Sequence, residues 1–201
     1  MTRRAEYAHA TRQAILCEAR RLFSERGYFA TKVDEIAAAA RVAPATVYAV
    51  WGGKHELLQS LIEIWASAPA IANIVSAVEE LRDSAAILCL VAKTCRSVRE
   101  EFGDIIRLLL ATAPHDRDAS ETLNAATAKY RQAFVPIAQR LLDLRALHDG
   151  IDVNEAVDVF WFYFGYAGIF TLHDDNGWSY KRAEQWLCDQ ASRALLRQPG
   201  S

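Results

Sequence analysis

Four amphipathic patterns, in which apolar residues recur every three or four positions, occupy the first third of the chain. This spacing predicts helices rather than strands. The first helix covers residues 11–26 and ends at Gly27, since glycine readily adopts the conformation found just past a helix end. The four apolar faces consist of Ile15, Ala19, Leu22 and Phe23; Val33, Ile36, Ala37 and Ala40; Val47, Val50 and Trp51; and Leu57, Leu58, Leu61, Ile62 and Trp65.

The second and third of these helices are short and closely spaced. Thr31 opens the second helix, with Asp34 three residues later in an arrangement similar to a capping box. Pro44 suits the first turn of the third helix, which ends at Gly52-Gly53. A tight turn around Arg41-Val42-Ala43 joins the two. Such a pair is typical of a helix-turn-helix, whose second helix lies in the major groove of DNA.

The remaining sequence keeps the helical spacing and lacks the alternation typical of strands. Helices are predicted over residues 74–98, 102–113, 120–147, 153–173 and 179–197. Pro136 is expected to kink or divide the third of these. The sequence therefore predicts an all-α protein. Residues 1–53 form a three-helix domain, a helix over 54–67 connects it, and residues 68–201 form a second helical domain.

Charge is distributed unevenly between these two parts. The formal net charge of the whole chain is −2. Residues 1–60 hold nine Lys or Arg against six Asp or Glu, whereas residues 61–201 hold 14 against 19. A basic amino-terminal part on an acidic body is typical of a protein that meets a polyanion at one end, although a chance fluctuation gives the same balance.

Targeting and metal-binding signals are scarce. The two longest stretches without Asp, Glu, Lys or Arg, residues 64–78 and 159–173, have 15 residues each. Both are shorter than the roughly 20 residues that cross a membrane, and no secretory signal is present. The four cysteines form no C-x-x-C pair. We therefore expect a cytoplasmic protein with reduced thiols, without metal or cofactor.

The amino-terminal motifs resemble those of the tetracycline-repressor (TetR) family. The resemblance covers about 45 residues and is carried by the segments Leu22-Phe23-Ser24-Glu25-Arg26-Gly27-Tyr28, Thr31-Lys32-Val33-Asp34-Glu35-Ile36-Ala37, Val42-Ala43-Pro44-Ala45-Thr46-Val47-Tyr48 and Trp51-Gly52-Gly53-Lys54-His55-Glu56-Leu57-Leu58. It implies an all-helical homodimeric transcription regulator, usually a repressor that a small ligand releases from DNA. It also implies an amino-terminal DNA-binding domain and a carboxy-terminal domain for ligand binding and dimerisation.

The candidate DNA contacts fall into two groups. Thr31, Lys32, Tyr48 and Lys54 are the candidates for phosphate contacts, which fix the register without reading sequence. Each has a plainer alternative, in which Thr31 only caps, Tyr48 only packs and Lys54 is only solvated. Bases are expected to be read by Ala45, Thr46 and Ala49, with Tyr48 as a further candidate. Arg41 at the edge of the turn and the arm Arg3-Arg4 are expected to add groove or phosphate contacts, and Pro44 completes the predicted DNA-binding set.

Two positions depart from the family pattern. Arg41 replaces the usual glycine of the turn, which costs on the order of 1 kcal/mol if its φ is positive. Ala43 replaces the usual serine before the third helix, so that helix lacks a side-chain cap worth ~1 kcal/mol.

A partner subunit is expected to cover the stretch 159–170, which is apolar on every face of a helix. Gly165, Gly168 and Thr171 leave a shallow strip for close approach of a second helix. The last helix repeats the apolar pattern. The candidate interface residues are Gly165, Gly168, Thr171, Trp186, Ala191 and Leu195.

A ligand pocket is expected between the middle helices. Its candidate lining residues are Trp65, Leu88, Cys95, Leu108, Tyr130, Phe134, Trp161 and Tyr163. Their aromatic character and the scarcity of inward charges favour a flat or hydrophobic ligand. The alternative is a plain aromatic core without a ligand.

These features together predict a homodimeric DNA-binding regulator that recognises a palindromic operator and releases it on binding a small hydrophobic or aromatic molecule. Whether it represses or activates is left open by the sequence. No nucleotide-binding, nucleophile or metalloprotease motif is present, so an enzyme is not expected. The alternative is a helical small-molecule-binding or scaffold protein without operator activity.

Overall fold

The computed structural model describes residues 3–197, which confirm the predicted all-α class. Within this range the only pairing of the β type is an isolated bridge between Leu147 and Leu196. The helices are α1 Arg3–Arg26, α2 Val33–Ala39, α3 Pro44–Trp51, α4 Lys54–Ala66, α5 Pro69–Glu80, α6 Ser84–Thr112, α7 Arg117–Asp143, α8 Val153–Phe164, α9 Tyr166–Phe170 and α10 Tyr180–Leu195.

The chain divides into two compact units. The first comprises the described residues up to Ala66 together with Asp104–Leu123, and the second comprises Ser67–Gly103 together with the described residues from Asn124 on. In the first unit, α1, α2, α3 and α4 pack against one another. Their fully buried residues are those of the predicted apolar faces, among them Ile15, Phe23, Ile36, Val47 and Leu57.

The core of the second unit is formed by α5, α6, α7, α8 and α10. Fully buried residues such as Leu88, Ala138, Phe160 and Leu195 meet there. Removal of their apolar surface from water provides the main stabilisation of this unit. The helices also hold the aromatic side chains of α8 in fixed positions.

Several predicted helix boundaries are wrong. The predicted helix over 74–98 is two helices, α5 and α6, because the Asp83 side chain accepts a hydrogen bond from Ala85 N (2.9 Å) and starts a new helix. The predicted helices over 74–98 and 102–113 are not separate at their junction, because α6 runs without interruption through residues 99–101 and Gly103. Pro136 does not divide α7, which continues to Asp143. Gly103 and Pro136 have poor helix propensity, but burial of the apolar face of the helix on both sides of each of them offsets this cost.

The predicted helix over 153–173 is also wrong, because it breaks at Gly165 into α8 and α9. A Cβ atom on Gly165 would lie 2.3 Å from the carbonyl oxygen of Trp161, and one on Gly168 would lie 2.4 Å from that of Tyr163. Both glycines therefore permit a close approach within the subunit. The strip that they were predicted to leave for a helix of a second subunit stays a prediction.

The expectation of four reduced thiols is corrected by a disulfide between Cys89 of α6 and Cys188 of α10. The Cα atoms of this pair are 5.1 Å apart, within the range of disulfides. Their sequence positions are 99 residues apart, so only the packing of α6 on α10 reveals their proximity. Cys17 and Cys95 are free.

One stretch, Lys54–Glu80, is long and apolar enough to cross a membrane by length and composition alone. Only 29% of its most apolar window is buried. The structure divides it into α4 and α5, with the break immediately before Pro69. Such a stretch is weak evidence for a membrane span, since a helix of a soluble protein passes the same test.

Candidate nucleic-acid interface and carboxy-terminal groove

The third helix, α3, buries one face and exposes the other. Val47 is fully buried and Trp51 is 9% exposed, which anchors the helix in the first unit. Tyr48 is 54% exposed, and Ala45 and Ala49 are exposed beside it. The small alanine side chains leave the backbone of this face accessible to a large partner.

The carboxyl end of α3 is fastened to α1 through Arg12 and Trp51. The Arg12 guanidinium lies 3.6 Å above the Trp51 ring and donates to the carbonyl oxygen of Val50 (2.8 Å). In return, Trp51 Nε1 donates to the carbonyl oxygen of Arg12 (3.3 Å). Arg12 is therefore a positioning residue for α3, a role that its isolated place in the sequence did not indicate.

The amino end of α3 lacks a side-chain cap, as the sequence predicted. Ala43 occupies the capping position and makes no side-chain hydrogen bond, while Pro44 follows in the first turn. Only the backbone closes the turn, through a hydrogen bond from Thr46 N to the carbonyl oxygen of Ala43 (2.8 Å). Thr46 itself is half-buried.

Arg41 adopts the left-handed conformation that glycine ordinarily occupies, with φ 57°. Its N–H donates to the carbonyl oxygen of Ala38 (3.2 Å), and Val42 N donates to that of Ala37 (2.9 Å). These two bonds form the Schellman motif that ends α2. Since the side chain of Arg41 is exposed, its charge is available beside α3.

Thr31 does not cap α2, which corrects the prediction of a phosphate seat at its hydroxyl. Its side chain is 1% exposed and donates to the carbonyl oxygens of Gly27 (2.8 Å) and Leu22 (3.2 Å). Lys32, which is exposed, occupies the capping position instead. Its N–H donates to the Glu35 carboxylate (2.9 Å), so the acidic capping partner is one residue later than predicted.

Lys54, at the start of α4, holds the loop between α1 and α2. Its Nζ donates to the carbonyl oxygens of Tyr28 (2.8 Å) and Thr31 (3.2 Å) and lies 4.3 Å from the centre of the Tyr28 ring. Burial lowers the pKa of Lys54. The structure therefore gives it a positioning role, while its contact with phosphate stays a prediction.

The residues Arg3 and Arg4 belong to α1. They were expected to form a separate arm, but the helix extends eight residues further toward the amino terminus than the predicted start at Thr11. Both side chains are exposed.

A groove of about 560 Å³ lies on the surface of the second unit. Its walls are predominantly apolar and aromatic, and they come from α8, α9, α10 and the π-helical turn Thr171–Asp175. The lining residues are Trp161, Phe162, Tyr163, Tyr166, Ala167, Gly168, Thr171, Leu172, Trp186 and Leu187.

Of the eight predicted ligand-lining residues, Trp161 and Tyr163 line this groove. Tyr130 lies behind it, with its ring 5.8 Å from that of Trp161. Cys95 is buried next to Tyr130. The other four do not line the groove: Leu88 and Phe134 are core residues of the second unit, and Trp65 and Leu108 are buried in the first.

Some of the predicted interface residues line the groove, and the others are buried in the second unit. Gly168, Thr171 and Trp186 line the groove, and Trp186 is 39% exposed. Gly165 is buried. Ala191 and Leu195 have no exposed surface and belong to the core of their own unit, which corrects their assignment to a subunit interface.

The sequence of the first unit matches a known family of domains. Residues 15–61 match the model of the bacterial regulatory proteins of the tetR family. Residues 15–61 therefore form an amino-terminal domain of the tetR type. A comparison with curated proteins gives no match.

Solved structures similar to this chain include the following three. SmeT, in a complex with triclosan, has 21% identity and a TM-score of 0.76, with 96% of each chain covered. A putative transcriptional regulator from Saccharomonospora viridis, in complex with choline, has 18% identity and a TM-score of 0.73 over 93% of this chain and 98% of that one. PfmR from Thermus thermophilus, a TetR family transcriptional regulator, has 22% identity and a TM-score of 0.69 over 91% and 99%. At these identities the likeness shows the fold.

Sequence reasoning missed Phe162, which is 75% exposed at the groove. The unbroken aromatic run around it suggested burial on every face. The break at Gly165 limits α8 to residues before it, and Phe162 falls on the face that its own unit leaves uncovered.

Proposed function

We propose that this protein regulates transcription by binding a palindromic operator as a homodimer. The observation that carries the proposal is the asymmetry of α3. One face is anchored by Val47 and Trp51, and the opposite face, with Tyr48, Ala45 and Ala49, has no cover within the first unit. A short helix held from behind and exposed in front is the geometry that enters a major groove.

The exposed groups around α3 divide between phosphates and bases. Lys32 and Arg41 supply exposed positive charge, and the Tyr48 hydroxyl supplies a donor to phosphate. Lys54 uses two of its three N–H donors on backbone carbonyls, which leaves one for phosphate. These contacts position the protein on DNA without reading sequence.

The base contacts are assigned to the front of α3. Thr46 offers a hydroxyl, and the methyl groups of Ala45 and Ala49 suit contact with thymine methyl groups. Pro44 precedes them in the first turn. Because α3 has no Arg, Asn or Gln, we expect selectivity to depend on Thr46 and on methyl contacts.

Dimerisation is assigned to the face that carries Phe162 and Trp186. Their exposed fractions, 75% and 39%, are large for aromatic side chains. A second copy on a two-fold axis would cover both residues and close the groove beside them. Two copies of α3 would then meet two half-sites about one helical turn of DNA apart.

A small molecule is proposed to control DNA binding from the second unit. SmeT and the Saccharomonospora viridis regulator have been solved with triclosan and with choline, respectively. In this chain the aromatic groove offers the corresponding chemistry, with Trp161 and Tyr163 in its walls. We assign the protein as a repressor that the ligand releases. α4, which follows α3 and ends where the second unit begins, is the proposed transmitting helix.

The test is selection of duplexes from a random pool by the purified full chain. The expected result is enrichment of a two-fold symmetric sequence by the wild type and loss of enrichment by Tyr48→Ala. Phe29→Ala is the matched control, because Phe29 is also 54% exposed in the first unit. Failure of the wild type to enrich any sequence would favour a ligand-binding protein without operator activity.

A further inference from the structure

The second unit contains a buried positive charge that no carboxylate among the described residues neutralises. Arg99, on α6, is 1% exposed. Its Nη2 donates to the carbonyl oxygens of Gly165 (3.1 Å) and Phe164 (3.4 Å). Its Nε and Nη1 are buried without any hydrogen-bond partner. A guanidinium does not lose its proton in proteins, so the charge persists.

The two carbonyls belong to the carboxyl end of α8 and compensate Arg99 only in part. A helix end carries about half an elementary charge. Buried charges are ordinarily paired, because an uncompensated one is costly to take out of water. The remaining charge and the free N–H groups on Nε and Nη1 therefore call for an acceptor that residues 3–197 do not supply.

The polar groups next to Arg99 carry no negative charge. Burial raises the pKa of the Cys95 thiol and of the Tyr130 hydroxyl, so both stay protonated near neutral pH. Burial also raises the pKa of Tyr166. The rings of Tyr130, Tyr166 and Phe170 lie within 5.6–5.9 Å of the guanidinium carbon, which makes the surroundings aromatic rather than anionic.

Arg96, one turn earlier on the same helix, shows the contrasting arrangement. It pairs with Glu184 and Glu100. Two arginines three residues apart on α6 thus have different surroundings. The charge of Arg96 is paired with carboxylates, and its side chain is 25% exposed. The charge of Arg99 is buried and has no carboxylate partner among the described residues.

The aromatic walls connect Arg99 to the groove. Tyr166 lies 5.9 Å from the Arg99 guanidinium and also lines the groove. Trp161, in the same wall, packs edge-on against both Tyr130 and Tyr166. Tyr166 therefore lies next to both the groove and the Arg99 guanidinium, and motion of its side chain can open a path between them.

We propose that Arg99 binds the carboxylate of an amphipathic regulatory ligand whose apolar body lies against Trp161 and Tyr166. This inference rests on the proposed ligand-responsive function. It makes that function specific, because the ligand is then an anion with an apolar body and not a purely hydrophobic molecule. A carboxylate would accept hydrogen bonds from the unpartnered N–H groups of Arg99 and neutralise its charge. The competing explanation is that Arg99 only caps α8.

The experiment measures thermal melting of the full chain, without DNA, with benzoate, 2-naphthoate and decanoate and with their neutral amides. Chloride keeps the ionic strength constant. At least one carboxylate is expected to raise the melting temperature more than its amide. Arg99→Met is expected to weaken binding of that carboxylate at least tenfold, whereas the control Arg96→Met leaves it unchanged.

A second variant keeps the test decisive if Arg99→Met does not fold. Arg99→Lys retains the charge and is expected to preserve the preference for carboxylate over amide. Equal responses to every carboxylate and its amide, or an unchanged response in Arg99→Met, would overturn the proposal in favour of helix capping. Because no DNA is present, this failure is distinct from a failure of operator binding, which the duplex selection detects.

Discussion

Arg41 and Arg145 share one unusual backbone conformation at the ends of two different helices. Their φ angles are 57° and 54°. After α2, the N–H groups of Arg41 and Val42 bond back to Ala38 and Ala37; after α7, those of Arg145 and Ala146 bond back to Leu142 and Leu141. Both arginines thus occupy the position of a Schellman motif where glycine is the usual residue.

Substituting both residues distinguishes the backbone role of Arg41 from its proposed role in binding DNA, because Arg145 shares only the backbone conformation. Arg41→Gly and Arg145→Gly each relieve the same strain. We expect both to change the free energy of unfolding by a similar amount, between zero and about 1 kcal/mol of stabilisation. Only Arg41→Gly is expected to weaken DNA binding and to reduce the salt slope of the dimer by about 2.

Urea unfolding and fluorescence anisotropy with operator DNA measure the two effects. Equal DNA affinity in the two variants would remove Arg41 from the interface. A stability change confined to one variant would show that the two turns are not equivalent.

Thr31 gives a prediction that distinguishes a structural hydroxyl from a phosphate ligand. Thr31→Val removes the donor to the Gly27 and Leu22 carbonyls. We expect a loss of about 1–2 kcal/mol in the free energy of unfolding. Below the unfolding transition, DNA affinity is expected to change less than twofold. A large loss of affinity with unchanged stability would restore the phosphate contact.

The sequence was sufficient for features that depend on local periodicity. The buried stripe of α3 and the missing cap at Ala43 follow from residue type and spacing alone. The capping position of α2 could not be predicted in this way. Thr31 and Lys32 are adjacent, and only the packing of Thr31 against α1 shows which of them is the cap.

Long-range features were less accessible. Cys89 and Cys188 carry no shared motif, and their proximity is a property of the packed helices. For Arg99 a signal was present, since it lies four residues after Cys95 on the buried face of α6. A charge in a buried stripe identifies the position, but its lack of a carboxylate partner becomes visible only in three dimensions.

The disulfide between Cys89 and Cys188 is expected to stabilise the second unit. A cross-link over 99 residues contributes up to about 4–5 kcal/mol by restricting the unfolded chain. Reductant is therefore expected to lower the melting temperature of the wild type. The double variant Cys89→Ala, Cys188→Ala is expected to melt at that lower temperature with or without reductant.

Cys17→Ser is the control, because Cys17 is a free, exposed thiol. Its response to reductant is expected to match that of the wild type. Four free thiols by mass spectrometry of the unreduced protein would contradict the assignment.

The proposed subunit interface predicts a change of oligomeric state. Phe162→Ser and Trp186→Ser are expected to convert a dimer to a monomer in sedimentation equilibrium, because both remove exposed aromatic surface from the proposed contact. Leu142→Ser is the matched control, since Leu142 is 40% exposed on α7, outside that face. A wild type that sediments as a monomer, or a monomeric Leu142→Ser variant, would contradict the interface.

Binding to the DNA upstream of its own gene, measured by mobility shift at about 50 and 200 mM salt, tests most directly whether the protein presents α3 to a duplex. Lys32, Arg41 and Lys54 from each of two subunits give six charged phosphate contacts. We therefore predict a retarded complex whose affinity falls about a thousandfold between these salt concentrations. Affinity that is independent of salt, or the absence of a complex at both concentrations, would contradict it.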